Sequence, residues 1–172
     1  KTGARSASLG MQENVVRVMT MHKSKGLEFP VVFLPDLAAS FARKRQPLPL
    51  RMDAQTGLAM ENVDPDARMK RDGFGVRANR VKKNREELSE EARLLYVGMT
   101  RARERLILIG APENIPGAMA RWSHPLGDYA AGSAQSMLDW VCGPLYPALA
   151  EKREGLWNAP GGSRWQLSYK TT

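Results

Sequence analysis

The stretch TMHKSKGLEF (20–29) brings a histidine, two lysines, a glycine and a glutamate into one short connection between two apolar runs. The imidazole and the threonine hydroxyl can donate to phosphate and sugar oxygens, and the carboxylate can accept from hydroxyl groups. Gly26 would let the backbone approach a ligand closely, or would simply supply a positive φ angle. A surface turn seldom carries this much side-chain chemistry, so we predict a ligand-binding loop.

Arg101 is the second candidate for chemistry. It stands in TRARER (100–105), where a predicted helix ends and a strand begins. Positive charge placed against a phosphoryl group favours its transfer, and one arginine can contribute about 10³–10⁵ in rate. The same arginine could instead do no more than solvate a helix C-terminus, where cations are favoured. The residue pattern alone leaves both roles open.

The apolar pattern predicts the elements that position these residues. VVRVMTM (15–21) and PVVFLPDLA (30–38) indicate two mostly buried strands, and the loop between them would lie at the C-terminal end of the first, where open α/β sheets usually bind ligands. RLILIGAP (105–112) predicts a third strand. A helix is predicted from about residue 80 to Thr100, with an apolar face made of Val81, Leu88, Ala92, Leu95, Tyr96 and Met99.

The remaining regions have weaker patterns. Residues 1–13 are predicted to be a flexible N-terminal segment, and residues 40–80 an irregular insertion with one short strand near TGLAMEN (56–62). Residues 113–172 are predicted to be a C-terminal helical or irregular appendage. All four tryptophans lie there, and they would dock on the α/β body or on a neighbouring domain. A helix at 133–149 should break at Gly143–Pro144.

Composition narrows the class of protein. Lysine and arginine outnumber aspartate and glutamate 26 to 18 in 172 residues, giving a net charge of +8, which favours an anionic partner such as nucleic acid or nucleotide. An ordinary basic soluble domain is the alternative. The single cysteine, Cys142, excludes an internal disulfide framework. No apolar stretch approaches a membrane span, and the expected location is cytoplasmic.

Two stretches that lie far apart in the sequence belong together. VMTMHKSKGLEFPVVFL (18–34) meets the pattern T-x-H-x-x-K-G-L-E-F, and EEARLLYVGMTRARERLILIG (90–110) meets E-x-x-R-L-x-Y-V-x-x-T-R-A. Both closely resemble motifs V and VI of superfamily 1 DNA helicases of the UvrD/RecB/AddA type. The resemblance covers residues 15–37 and 82–111, and nothing at the key polar positions departs from the pattern.

This resemblance implies a fold and an activity. It implies that residues 14–112 form the second RecA-like motor domain of an ATP-dependent DNA helicase, a partial parallel sheet with flanking helices. The residues of the second motif and of SMLDWV (136–141) look most like those of the AddA subunit of helicase–nucleases. Such enzymes process double-strand breaks for recombination.

The resemblance also implies roles at the nucleotide. Arg101 would be the arginine finger that reaches ATP bound to the first motor domain. Glu28 would accept hydrogen bonds from the ribose of ATP, with Gly26 and Lys25 beside it. A surface salt bridge between Glu28 and Lys25 is the plainer alternative.

The other side of the same loop would contact DNA. In helicases similar to this sequence, this edge of the motor touches the single-stranded DNA backbone, which implies that Thr20 and His22 contact DNA. Lys23 could meet a DNA phosphate as a point charge. A buried structural role stays open for His22, and the only other histidine is His124. A solvated surface role stays open for Lys23.

An ATPase of this type needs a phosphate loop, GxxxxGK[ST], and an acidic pair for Mg²⁺, and the sequence contains no such loop. The Mg²⁺ ligands are expected on a first motor domain of the same chain, and an AddB-like protein is the expected partner. The segment by itself is expected to be inactive. A basic nucleic-acid-binding module and a docking domain are the alternatives.

Overall fold

The computed structural model describes residues 15–41, 50–55, 57–65, 68–124, 127–151, 154–158 and 164–168. The predicted flexible segment 1–13 lies outside these ranges. In chain order the strands and helices are β1 (Phe29–Leu34), β2 (Leu50–Asp53), β3 (Gly57–Asp64), β4 (Met69–Asp72), α1 (Phe74–Met99), β5 (Ala102–Leu108), α2 (Ile115–Trp122), α3 (Asp128–Ser133), α4 (Met137–Ala150), β6 (Gly155–Asn158) and β7 (Arg164–Leu167).

β1 and β5 form a parallel pair, in which Val32 lies opposite Leu106. The register shifts between Phe29 and Val31, where Pro30 has no N–H to donate to a neighbouring strand. The predicted α/β class with a parallel sheet is confirmed by this pair and by the helix α1 that packs on it.

The predicted strand at 15–21 is absent. Residues 15–20 have no regular structure, and Val16 and Val18 are 95% and 97% exposed. An extended segment becomes a strand when a neighbouring strand takes up its N–H and C=O groups, and no strand of the described ranges pairs with this one. Loop 20–28 therefore precedes β1 at the amino edge of the sheet, and its predicted place at the carboxyl end of an earlier strand is wrong.

The region 40–80 contains a sheet where the sequence predicts an irregular insertion. β2, β3 and β4 are antiparallel neighbours in chain order. The strand predicted at 56–62 is confirmed as β3, whereas β2 and β4 were not predicted. Two of the residues that suggested irregularity mark the ends of β3, since Gly57 opens the strand with φ 73° and Pro65 follows its last residue. The prediction therefore found the middle strand of this sheet and missed its two neighbours.

α1 begins at Phe74, about six residues earlier than predicted, and runs for 26 residues. Its buried residues cluster at the two ends, Val76 and Asn79 near the start and Leu95 and Gly98 near the finish. The predicted apolar face is therefore wrong in part, since Val81 and Tyr96 are 54% and 70% exposed. No helix in the described part of the chain is long and apolar enough to cross a membrane.

One hydrophobic core joins the parallel sheet to the C-terminal segment. Its buried members are Leu34, Leu37, Leu95, Ala118, Trp122, Leu138, Cys142, Leu145 and Leu149. Trp140 and Trp165 pack against this cluster, to which Trp122 belongs, so these three tryptophans share one core with Leu34, Leu37 and Leu95. The boundary at residue 112 stays a prediction, but the core crosses it.

α4 runs through Gly143, Pro144 and Pro147 without the predicted break. A proline inside a helix leaves the carbonyl one turn earlier without its usual donor. Pro144 and Pro147 are exposed, so water can reach this side of the helix and bond the released carbonyls. Exposure therefore makes the prolines tolerable here.

Asp139 ties α4 to α2. This buried carboxylate closes a capping box with Ser136 at the start of α4 and accepts from the Trp122 indole N–H at 2.8 Å. Arg121 also donates to it at 3.3 Å. The S-x-x-D pattern at 136–139 is a sequence signal for this cap, because a carboxylate three residues after a serine can return a hydrogen bond.

Candidate nucleotide and DNA contact site

Loop 20–28 is a tight turn held by its own backbone. The N–H groups of Lys23 and Ser24 donate to the Thr20 carbonyl at 3.0 and 3.2 Å. Ser24 is buried, and its hydroxyl donates to the Met21 carbonyl at 2.7 Å. The buried Ser24 side chain stabilises the turn, while Lys23 and Lys25 on either side of it are exposed to solvent.

All six candidate residues of the loop are accessible. They are Thr20, His22, Lys23, Lys25, Gly26 and Glu28. His22 is exposed, so it is not buried in the core of this domain. No ion pair joins Glu28 to Lys25 in the described part of the chain, so the Glu28 carboxylate is not occupied by the alternative partner considered for it.

Gly26 gives the loop its left-handed step. Its φ is +83°, and a Cβ built there would meet nothing within 4 Å. The glycine is therefore required by backbone conformation, because residues with a side chain rarely adopt this angle. The open space beside it also leaves room for a ligand to approach the backbone, and that approach stays a prediction.

The guanidinium of Arg101 is held by three acceptors. Nε donates to the Val97 carbonyl at 2.9 Å, Nη1 to the Leu27 carbonyl at 2.9 Å and Nη2 to the Thr100 hydroxyl oxygen at 3.0 Å. The first bond satisfies a carbonyl in the last turn of α1, so the helix-terminus alternative describes part of the geometry. The Leu27 bond does more, because it ties the arginine to loop 20–28.

Arg101 is hydrogen-bonded to the backbone on both sides of Glu28. Its guanidinium binds the carbonyl of Leu27, and its own carbonyl accepts the N–H of Phe29 at 2.9 Å. Glu28 therefore lies between two residues that are both bonded to Arg101. The prediction that the loop and Arg101 share one edge of the sheet is confirmed.

Two residues that complete this edge were not predicted as site residues. A Cβ on Gly98 would lie 3.1 Å from Leu34 Cδ1 and 3.2 Å from Met21 Sδ, so the glycine lets α1 approach both β1 and the start of the loop. Thr100 accepts from Arg101 and is bonded in turn to α1. Both stand inside the motif G-M-T-R at 98–101, which was the available signal.

The edge has groups suited to a nucleotide but none grouped for a metal. The three bonds of Arg101 use three of the five N–H groups of a guanidinium, which leaves two for an anion. The carboxylate of Glu28 is exposed and can accept hydroxyl donors. Within the described ranges no three His, Cys, Asp or Glu side chains come together to hold a metal ion.

Comparison with known proteins identifies the domain. The family model of the UvrD-like helicase C-terminal domain matches residues 4–113, which include loop 20–28, α1 and Arg101. The chain belongs to the UvrD-like helicase C-terminal domain family. The shared edge therefore lies within a UvrD-like C-terminal domain, and both resemblance motifs lie inside the match.

Three similar relatives are each named as the A subunit of an ATP-dependent helicase/nuclease. The chain is 42% identical over 154 residues to the relative from Pelotomaculum thermopropionicum, covering 86% of this chain and 12% of the relative. It is 41% identical over 146 residues to the relative from Bacillus cytotoxicus (81% and 12%) and 38% identical over 176 residues to the relative from Desulforudis audaxviator (93% and 14%). The chain thus spans only about an eighth of the length of the curated relatives that it matches.

Proposed function

We propose that this UvrD-like C-terminal domain is the second motor domain of an ATP-dependent DNA helicase, the AddA-type subunit of a helicase–nuclease that processes double-strand breaks. The observation that carries the proposal is the bond from Arg101 Nη1 to the Leu27 carbonyl. It joins the arginine of the second motif to the loop of the first, directly beside Glu28. The names of the relatives support the choice of subunit.

The residues of this edge would form one wall of an ATP site. The two guanidinium N–H groups of Arg101 not used by the domain would face the γ-phosphate, where charge builds as the phosphoryl group transfers. Glu28 would accept from the ribose hydroxyls, and Lys25 would add a point charge toward phosphate, with Gly26 keeping the approach open. The phosphate loop and Mg²⁺ would belong to a first motor domain, and Mg²⁺ would neutralise phosphate charge there.

The same loop would carry part of the DNA track. Thr20, His22 and Lys23 are exposed at its start, and hydroxyl, imidazole and ammonium groups suit phosphate and sugar oxygens without reading sequence. The other end of the loop is bonded to Arg101. A shift of the loop residues that contact DNA would therefore displace Arg101. This arrangement would couple strand movement to ATP turnover.

The test is Arg101→Ala in the full-length protein that carries this domain. We expect ATP turnover to fall by about 10³-fold, because the arginine acts on the transition state, and single-stranded DNA binding to stay within about twofold. Turnover is measured by phosphate release and DNA binding by fluorescence anisotropy. Thermal unfolding of the variant separates a lost helix cap from a lost catalytic group.

Arg101→Lys is the matched control. Lysine keeps the charge but lacks the planar fork that can bind Leu27 and a phosphate at once, so we expect no rescue of turnover. Normal ATP turnover in Arg101→Ala would contradict the proposed function. Normal turnover in the lysine variant alone would show that charge, without the fork, is sufficient.

A basic nucleic-acid-binding module is the second candidate. It is favoured by the three bonds that Arg101 makes within its own chain, which suit a structural arginine, and by the net charge of +8. In that case the DNA affinity of the chain should fall steeply with salt, since each phosphate contact releases counterions, while Arg101→Ala leaves turnover of the full-length protein unchanged.

A further inference from the structure

The hydroxyl of Thr100 occupies a position between α1 and the guanidinium. Its oxygen lies 2.9 Å from the Tyr96 carbonyl and 3.1 Å from the Val97 carbonyl, and it accepts from Arg101 Nη2 at 3.0 Å. Carbonyl oxygens can only accept, so the single hydroxyl proton points into the last turn of the helix. The lone pairs of the oxygen are thereby turned toward Arg101.

We infer that Thr100 is a positioning residue for Arg101, holding the plane of the guanidinium so that its two remaining N–H groups face the nucleotide side of loop 20–28. The inference rests on the proposed function, in which Arg101 meets the γ-phosphate. Thr100 itself contacts no reacting group. It acts through the arginine.

Three anchored nitrogens define a plane, whereas two define only a line. Nε and Nη1 are held by the carbonyls of Val97 and Leu27, and with these two alone the guanidinium can tilt about the line that joins them. The Thr100 bond at Nη2 removes that freedom. Catalytic geometry is sensitive to displacements of about 1 Å, which can cost about 10²-fold in rate.

Thr100 is also the one acceptor of this set that a substitution can remove, since the other two are backbone carbonyls. It is exposed, so replacing its hydroxyl by a methyl group of similar size creates no cavity. A loss of function would then report orientation of the arginine and not damage to the core. This separates Thr100 from Gly98, whose replacement would push α1 away from β1.

The experiment compares three variants of the full-length protein in steady-state ATP turnover. Thr100→Val should lower kcat by about 10- to 100-fold with KM for ATP within about twofold, because the lost contact serves the transition state. Thr100→Ser keeps the hydroxyl and should restore kcat to within about threefold. Ser89→Ala removes an exposed hydroxyl from the middle of α1 and should change neither constant.

The double variant decides whether Thr100 acts through Arg101. If it does, adding Thr100→Val to Arg101→Ala should cause no further loss, since the group to be positioned is gone. Additive losses would overturn the inference, as would normal kcat in Thr100→Val or an equal defect in Thr100→Ser. Undiminished turnover in Arg101→Ala would overturn the proposed function as well, whereas loss there with normal Thr100→Val turnover would overturn only the positioning role.

Discussion

The two ends of α1 meet their sheets in similar ways but are stabilised differently. At the start, a Cβ on Gly75 would lie 3.1 Å from Ala59 of β3, and near the finish a Cβ on Gly98 would lie 3.1 Å from Leu34 of β1. Both ends therefore approach a strand as closely as glycine allows. The difference lies in what surrounds each contact.

The C-terminal end rests on the shared core, where Leu34 and Leu95 are each 6% exposed, and the three Arg101 bonds follow directly. The N-terminal end has two buried apolar side chains outside that core, Val76 and Ala59. Ion pairs accompany them, Lys82 to Asp53 at 2.6 Å and Arg80 to Asp72 at 2.7 Å. A packed core positions side chains to fractions of an ångström, whereas partly exposed ion pairs tolerate more movement. The candidate catalytic arginine lies at the end whose surroundings can fix it.

The largest expected effect is on the core end. Leu95→Ala should lower the free energy of unfolding of the 172-residue chain by about 2–5 kcal/mol, because it removes a buried side chain from the cluster that joins the sheet to α4. Val76→Ala is the corresponding change at the other end; it removes two carbons where Leu95→Ala removes three, and should cost about 1.5 kcal/mol. Urea unfolding followed by circular dichroism measures both, and equal losses would erase the contrast.

A smaller effect is expected at alkaline pH, where the stability of the folded chain should depend on ionisation of the Cys142 thiol. Burial, assisted by the Asp139 carboxylate, raises the pKa of this thiol from 9.0 to about 12. Below pH 9 the thiol keeps its proton in both the folded and the unfolded chain. Between pH 9 and 12 only the unfolded chain releases that proton, so the free energy of unfolding should fall by about 1.4 kcal/mol per pH unit.

Cys142→Ala is the control for this titration. The variant should lose stability less steeply with pH across the same range, since the two proteins differ only in the thiol. Unfolding curves at about pH 8, 9 and 10 measure the two slopes. Identical slopes would mean that the thiol is not shielded by the core.

The smallest effect is expected at the ion-paired end. The hydrogen bond from Lys82 to Asp53 raises the pKa of the ammonium group above 10.5, so the pair contributes at neutral pH and is lost as pH rises through the raised value. Lys82→Met should speed amide exchange in β2 slightly, less so in high salt, with β1 and β5 unchanged. Lys83→Met is the control, because its pair with Glu87 is longer, at 3.8 Å. Global destabilisation would contradict the comparison.

The sequence predicted the parts of the molecule that carry local signals. The strand at β5, the helix up to Thr100 and the shared edge of loop 20–28 and Arg101 follow from periodicity, turn residues and two motifs. The roles of Glu28, Lys25, Thr20, His22 and Lys23 stay predictions. Their exposure is consistent with contact to a ligand.

The errors came from features that depend on neighbours in space. VVRVMTM (15–21) is apolar enough for a strand, yet strand formation depends on a partner that composition does not reveal. Tyr96 fits the helical period but lies where nothing covers α1. The three-bond cradle of Arg101 could not be predicted either, because the Leu27 carbonyl that completes it lies 74 residues away.

The length of α1 has a geometric consequence for any change made within it. Its 26 residues extend about 39 Å, and none of the residues from 80 to 94 is buried. Deletions within residues 83–94 would remove no buried side chain and would spare the pairs of Arg80 and Lys82 with the antiparallel sheet, but each deletion turns one end by about 100° about the axis relative to the other. Removing one residue would swing the antiparallel sheet around to a different side of the parallel one. Removing seven would restore its direction to within about 20° and bring the two sheets about 10 Å closer together.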